Sequence, residues 1–206
     1  MRTIITVAEL PASGDFLVPY DAILTPLAAD EAARRGLTLR EVAPKDAVRP
    51  AAPPEKMVAL AADHGGFALK EQLKPLLEQM GLTAIDFGVH NEQPVDYPDL
   101  AVQAAEAVSS GRAARGIIVD GAGIGSAMVA NKVPGVRAAL CYDKASARNS
   151  REHNNANVLT LGGKLLPAEL ALEVAATWLT TPYAGGRHEK RVAKIGQIDK
   201  RYRNLS

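Results

Sequence analysis

The chain has 206 residues, 47 % of them hydrophobic and 23 % charged, which describes a globular protein with enough apolar side chains for a sizeable core. A formal net charge of +1 removes the electrostatic reason to expect nucleic acid or an anionic membrane as partner, so anion recognition must come from local clusters. Cys141 is the single cysteine, which excludes an internal disulfide and a cysteine-based zinc site; at the end of the apolar run VRAALC it reads as a buried, inert thiol.

No apolar run approaches the ~20 residues of a membrane span, and the N-terminus lacks the apolar region of a signal peptide, so a reducing cytoplasm is the expected setting. Residues 1–43 carry a pattern of their own: RTIITV, then FLVPYDAILTPLAADEAARRGLTL, with Thr25 as N-cap, Pro26 in the first turn and Gly36 ending a helix. Such a piece is small for an independent core and is expected to dock on something. Residues 44–55 hold a run of prolines and read as a stiff, extended linker.

From residue 56 to 206 the rhythm changes to strands alternating with helices. Met57–Asp63 is an apolar strand followed by a helix around Phe67–Met80. TAIDFG is the second strand, with a helix near Asp99–Ser109; RGIIVD is the third, and GSAMVANK opens a helix. VRAALCY and NVLTLGG are further strands, each followed by helical sequence, and a last helix runs from about His188. Near-continuous apolar strands imply a parallel sheet covered on both faces, an α/β sandwich of about five strands. In such sheets ligands bind beyond the carboxyl ends of the strands, so strand ends are the place to search.

Those ends are polar. The first gives Asp63 and His64 before two glycines; the third gives Asp120 before Gly121, Ala122, Gly123 and Gly125. SREHNNANV puts His153 and Asn154 ahead of the fifth strand, and GGRHEKR groups Arg187, His188 and Arg191. His90 reads as a surface loop residue. GAGIG lacks the Lys-Ser/Thr of a P-loop, and a dinucleotide fingerprint would open the first βα unit, so a nucleotide reading is weak. The set suits a phosphorylated sugar instead. Arginine forks match phosphate oxygens, loop amides at a helix start can hold an oxyanion, His153 can move hydroxyl protons, and Asp120 supplies a carboxylate. An aldose–ketose isomerisation uses those parts, with no metal and no redox cofactor.

The segments ADHGGFALKEQL, DYPD, GAGIG…ANKVPGVRAAL, REHNNANVL and YAGGRHEKRV together resemble the type B ribose-5-phosphate isomerase family, which includes the galactose-6-phosphate isomerase subunits. The resemblance covers about Met57 to Ile198. It implies a Rossmann-like α/β sandwich acting as a homodimer or dimer of dimers, with each active site built from both chains. Carried over by position, it gives Asp63 and His64 a place at the substrate, with His64 near the phosphate, and lets Tyr97 line the sugar pocket. Gly121 to Gly125 hold the enediolate, His153 opens the ring with Asn154 beside it, and Arg187 and Arg191 bind phosphate on either side of His188.

The chain departs from the pattern at its centre. Many members have cysteine as the C1/C2 proton base where Asp120 stands, followed by Gly-Thr-Gly; another branch has a glutamate where Ser126 stands. Asp120 is therefore the expected base, with ribose 5-phosphate to ribulose 5-phosphate the expected reaction. Another aldose phosphate, such as galactose 6-phosphate, and a non-catalytic sugar-phosphate-binding or assembly protein are the alternatives. Residues 1–43 lie outside the resemblance. VPYDAILTPLAADEAARRGLTL is loosely similar to segments on enzymes of bacterial microcompartments, which implies docking to a partner or shell; a small lobe packing on its own domain is the alternative.

Overall fold

The computed structural model describes residues 4–5, 7, 10–11, 14–19, 23–42 and 55–203. The chain divides into two compact units, Met1–Pro50 and Ala51–Ser206. Residues 43–54, which hold nearly all of the proline-rich stretch, lie outside the described residues.

In the first unit β1 (Ile4–Ile5) pairs in parallel with β3 (Ile23–Leu24), and β2 (Asp15–Pro19) with β4 (Thr38–Val42). The helix α1 (Pro26–Arg34) starts where its sequence says: Thr25 Oγ1 accepts the Ala28 N–H at 3.3 Å, and Pro26 occupies the first turn. Gly36, at φ +65°, supplies the left-handed residue just beyond the helix. Leu10, Ala28 and Ala32 form a small core.

The second unit is a three-layer α/β/α sandwich around a five-stranded parallel sheet, as the alternation of elements implies. Its strands are β5 (Met57–Ala62), β6 (Thr83–Asp86), β7 (Arg115–Asp120), β8 (Ala138–Leu140) and β9 (Val158–Gly162), in the spatial order β6-β5-β7-β9-β8. Alternate strand residues feed two cores. Val58, Leu60, Ile117, Val119, Leu159 and Leu161 pack with α2 (Phe67–Gln79) and α6 (Ala168–Thr180), where Trp178 is fully buried. Ala59, Ala61, Ile118 and Val158 face α3 (Tyr97–Ser109), which presents Ala101, Ala104, Ala105 and Ala107, so that layer lies close.

Two strands are shorter than their apolar runs. β6 stops at Asp86 because its carboxylate turns back to Lys70 Nζ (2.8 and 2.9 Å), Lys74 Nζ (2.7 Å) and the Gly88 N–H (2.9 Å). Burial pushes this carboxyl up, but the two ammonium groups and the amide outweigh it and hold it at about 2. The edge strand β8 is closed by a side chain: Asn131 Oδ1 accepts the Ala138 N–H at 2.9 Å and Asn131 Nδ2 donates to the Ala138 carbonyl at 3.0 Å. The remaining helices are α4 (Ile124–Ala130), α5 (Lys144–Asn154) and α7 (Glu189–Arg203), the last preceded by a 3-10 turn at Gly186–His188. Among the described residues no helix is long and apolar enough to cross a membrane.

The order β6-β5-β7 reverses direction at β5, so the carboxyl ends of β5 and β7 form the switch point at which open α/β sheets bind ligands. Close approach there needs glycine. A Cβ on Gly66 would stand 2.6 Å from the Val119 carbonyl carbon and 2.8 Å from its Cβ, so the turn after β5 can sit on β7 only without a side chain. Gly66→Ala is expected to lower stability by about 2 kcal/mol through this overpacking, read as a fall in the urea midpoint with unchanged slope.

Candidate active site

At the carboxyl edge of the sheet, Asp120 ends β7 and is 5 % exposed. Its carboxylate faces its own loop. Oδ1 accepts from the Ala122 N–H at 2.8 Å and from the Gly123 N–H, while Oδ2 accepts from the Ser126 N–H at 2.9 Å. These are charge-assisted bonds to the start of α4, and they draw the loop around the carboxylate. Gly123, at φ +78°, provides the bend; a Cβ there would lie 2.8 Å from the Leu161 carbonyl carbon. Tyr142 Oη pins the loop from outside by donating to the Ala122 carbonyl at 2.7 Å. The amides of Gly121, Ile124 and Gly125 are not engaged by Asp120.

The turn after β5 abuts this loop. Asp63 N–H donates to the Val119 carbonyl at 3.1 Å, and Asp63 Oδ1 accepts the Gly66 N–H at 2.9 Å. His64 is exposed, and its Nδ1 accepts the Val95 N–H at 3.5 Å, which leaves the proton of a neutral ring on Nε2. Tyr97, the first residue of α3, lies against Gly125: a Cβ there would be 2.7 Å from its Cε2 and Oη. Asp63, His64, Tyr97 and Asp120 with Gly121, Ala122, Gly123 and Gly125 thus come together.

One cation at this switch point escaped the reading of the sequence. Lys164 follows β9; its N–H donates to the Gly121 carbonyl at 3.0 Å, and its side chain runs past both turns, with Cε 3.2 Å from a Cβ position on Gly65 and Cδ 3.7 Å from one on Gly121. The signal that marks it is the GGK at the end of the fifth strand, a polar strand end like the first and third.

The other candidates gather at the opposite edge of the sheet. Helices in this fold run against the strands, so the last turn of α5, with His153 and Asn154, sits at the amino end of β9. Asp120 is in register with Gly162 at the other end of β9. Four residue steps lead from Val158 to Gly162, about 13 Å at roughly 3.3 Å per step. The segment after α6 joins α5: Arg151 Nε donates to the Thr181 carbonyl at 3.2 Å, and Ala184 N–H donates to the Glu152 carbonyl at 3.1 Å. This brings His188 onto His153, their rings stacked at 4.2 Å and 10°.

Asn149 Nδ2 lies 2.9 Å from His153 Nδ1, which accepts and leaves the His153 proton on Nε2. Arg187 Nε donates to His188 Nε2 at 3.3 Å, a bond that needs that nitrogen unprotonated. Burial, followed by His153, Arg187 and Arg191, holds the His188 imidazole below the usual histidine range, with Glu152 opposing. Asn154 opens on a cavity of about 270 Å³ that also touches Arg137, Ser150 and Ile195.

A larger cavity of about 640 Å³ lies against the ends of α3 and α4, with Val102, Glu106 and Arg112 in its wall. Its lining holds none of the candidate residues. Among the described residues no cluster of three or more His, Cys, Asp or Glu side chains could hold a metal ion.

The Ribose/Galactose Isomerase family model matches residues 58–195. Ribose-5-phosphate isomerase B of Escherichia coli (strain K12) is 40 % identical over 71 % of this chain and 98 % of its own. D-erythrulose-4-phosphate isomerase of Pectobacterium atrosepticum is 41 % identical over 69 % and 94 %. The solved structure of Clostridium thermocellum ribose-5-phosphate isomerase B, 48 % identical, covers 71 % of this chain and 99 % of its own with a TM-score of 0.70.

Two results are expected from this geometry. Asp120→Ala leaves three amides without their acceptor and lowers stability by about 3 kcal/mol, measured by urea unfolding. For His188, the fold favours the neutral ring, so the unfolded chain takes up its proton first as pH falls through about 6.5 and this stability contribution is lost below that pH. In an NMR titration His188 should titrate below an ordinary histidine, and Arg191→Ala should raise its midpoint.

Proposed function

The chain belongs to the Ribose/Galactose Isomerase family, and on that premise we propose that it interconverts a phosphorylated aldose and its ketose, ribose 5-phosphate and ribulose 5-phosphate first among them. The observation that supports this best is the sorting of the candidate residues into two half-sites. One, at the carboxyl edge, offers carboxylates, open amides and Lys164. The other, at the amino edge, offers two histidines and two guanidinium groups.

In this reading two copies of the chain meet so that the carboxyl-edge half of one faces the amino-edge half of the other. The phosphate lies among Arg187 and Arg191 of one copy and Lys164 and His64 of the other, where forked donors and point charges suit its oxygens. His153 Nε2 exchanges a proton with the ring oxygen and hydroxyl as the sugar opens, with Asn154 beside it and Tyr97 against the chain of hydroxyls. The enediolate oxygen is held by amides at the start of α4 that Asp120 leaves open, chiefly those of Ile124 and Gly125. Asp120, expected above to carry the proton, contributes here by fixing the loop from which those amides project.

The name of the Pectobacterium relative, together with the missing cysteine, favours a four-carbon sugar phosphate as the second pair to assay. Galactose 6-phosphate belongs in the same panel, and a protein that binds sugar phosphates without turning them over is the outcome if none reacts. Residues 1–43 dock the enzyme to a partner or shell in this reading; deleting residues 1–55 should preserve turnover and abolish co-purification, and unchanged co-purification would reject it.

The shared site has a direct assay. His153→Ala inactivates one half and His64→Ala with Tyr97→Ala the other, so each protein alone should be nearly inactive. Co-expression produces mixed dimers in which one of two sites is intact, restoring about a quarter of wild-type turnover. No restoration in mixed dimers isolated by two affinity tags would contradict a site built from two chains.

A further inference from the structure

Two carboxylates end the neighbouring strands β5 and β7, and they are not equivalent. Asp120 has both Oδ1 lone pairs and one of Oδ2 directed at amides of its own loop. A carboxylate has about four such positions, so little of it is left for a substrate hydrogen. Asp63 is bound at Oδ1 alone, by the Gly66 N–H. Its Oδ2 makes no hydrogen bond among the described residues. Among the described residues the buried side-chain polar atoms without a partner are Ser126 Oγ, Thr160 Oγ1, Trp178 Nε1 and Tyr183 Oη, and Asp63 Oδ2 is not one of them. The 9 % of Asp63 that is exposed therefore includes Oδ2.

The turn that carries this oxygen lies on the oxyanion loop. A Cβ position on Gly65 is 3.2 Å from Asp63 Oδ1, 3.3 Å from Gly121 Cα and 3.2 Å from Lys164 Cε. The bonded edge of the Asp63 carboxylate, the start of the amide loop and the Lys164 side chain thus pack around the Gly65 turn at the switch point. Asp120 is the sequence counterpart of the proton base in cysteine-bearing relatives, yet its geometry is that of a loop anchor.

We propose that Asp63 is the catalytic residue that moves the proton between C1 and C2, and that Asp120 is a positioning residue. The assignment rests on the aldose–ketose reading above. In the open-chain aldose, Asp63 Oδ2 takes the hydrogen on C2 as a proton. The C2–H electrons form C1=C2, and the carbonyl electrons move onto O1, giving an enediolate facing the α4 amides. The O2 hydroxyl proton passes to O1, the O2 electrons form the C2 carbonyl, and Asp63 returns its proton to C1. Every proton removed is restored, and the aspartate ends as it began.

Asp63→Asn is the variant of choice because its amide oxygen still accepts the Gly66 N–H. Wild type, Asp63→Asn and Asp120→Asn are incubated with ribose 5-phosphate in deuterated water, and NMR follows ketose formation and loss of the C2 hydrogen to solvent. Binding of ribitol 5-phosphate and thermal melting are measured alongside. The expected result is a loss of exchange and turnover of at least about 100-fold in Asp63→Asn, with ribitol 5-phosphate affinity within a few-fold and melting unchanged. Asp120→Asn is expected to melt lower and to retain measurable exchange. Exchange in Asp63→Asn within about threefold of wild type overturns the proposal, and its loss in a well-folded Asp120→Asn alone transfers the role to Asp120. If wild type neither exchanges nor turns over ribose 5-phosphate or the other aldose phosphates of the panel, the isomerase reading fails and this assignment with it.

Discussion

The carboxylate of Asp120 is the constraint around which the carboxyl edge of the sheet is arranged. It gathers the Ala122, Gly123 and Ser126 amides, and so fixes the path of the loop from β7 into α4. A loop held from within in this way keeps a constant shape, and the amides it does not use, at Ile124 and Gly125, project from a rigid base. Preorganised donors of that kind are what an oxyanion intermediate requires, because no reorganisation is then demanded when charge develops. The surrounding contacts follow from the same clamp. Gly123 must bend through a left-handed conformation against Leu161, Gly125 must stay bare beneath Tyr97, and Tyr142 closes the outside.

The layered fold was legible because its strands are almost wholly apolar and its helices are punctuated by caps and glycines. Strand ends were harder to place. TAIDFG and VRAALCY continue as apolar text beyond the paired residues, and side chains from other elements border the strands: Lys70 at Asp86, where β6 ends, and Asn131 along the outer edge of β8 at Ala138. Such long-range partners leave no trace in local periodicity. The position of Asp120 could be read, but the direction of its carboxylate could not. An aspartate before a glycine turn has acceptors suited both to its own loop and to a guest, and the choice is made by packing against Leu140 and Leu161.

The separation of the candidates into two half-sites follows from helix direction. A helix after a parallel strand runs back toward the amino edge, so a residue in its last turn cannot share an edge with the strand-end loop of the same chain. His153 and Asn154 obey that rule, and the stacked His188 is drawn with them by Arg151. Chemistry that needs amides and imidazoles together then asks for a second copy of the chain. Burial, followed by His153 and then the two arginines, favours the neutral His188 ring, the form that can accept from Arg187.

The two carboxylates at the switch point have different ties, Asp120 accepting three amides of its own loop and Asp63 one. The central claim is that Asp120 stays turned into its loop while ligand is held by the neighbouring amides. Hydrogen exchange of individual amides, measured by NMR with and without ribose 5-phosphate, tests it most directly. The account predicts slow exchange at Ala122, Gly123 and Ser126 in both states, and new protection at Ile124 and Gly125 when the sugar phosphate binds. Fast exchange at Ala122 and Gly123 that becomes protected on binding would mean that the carboxylate faces outward, and would contradict it.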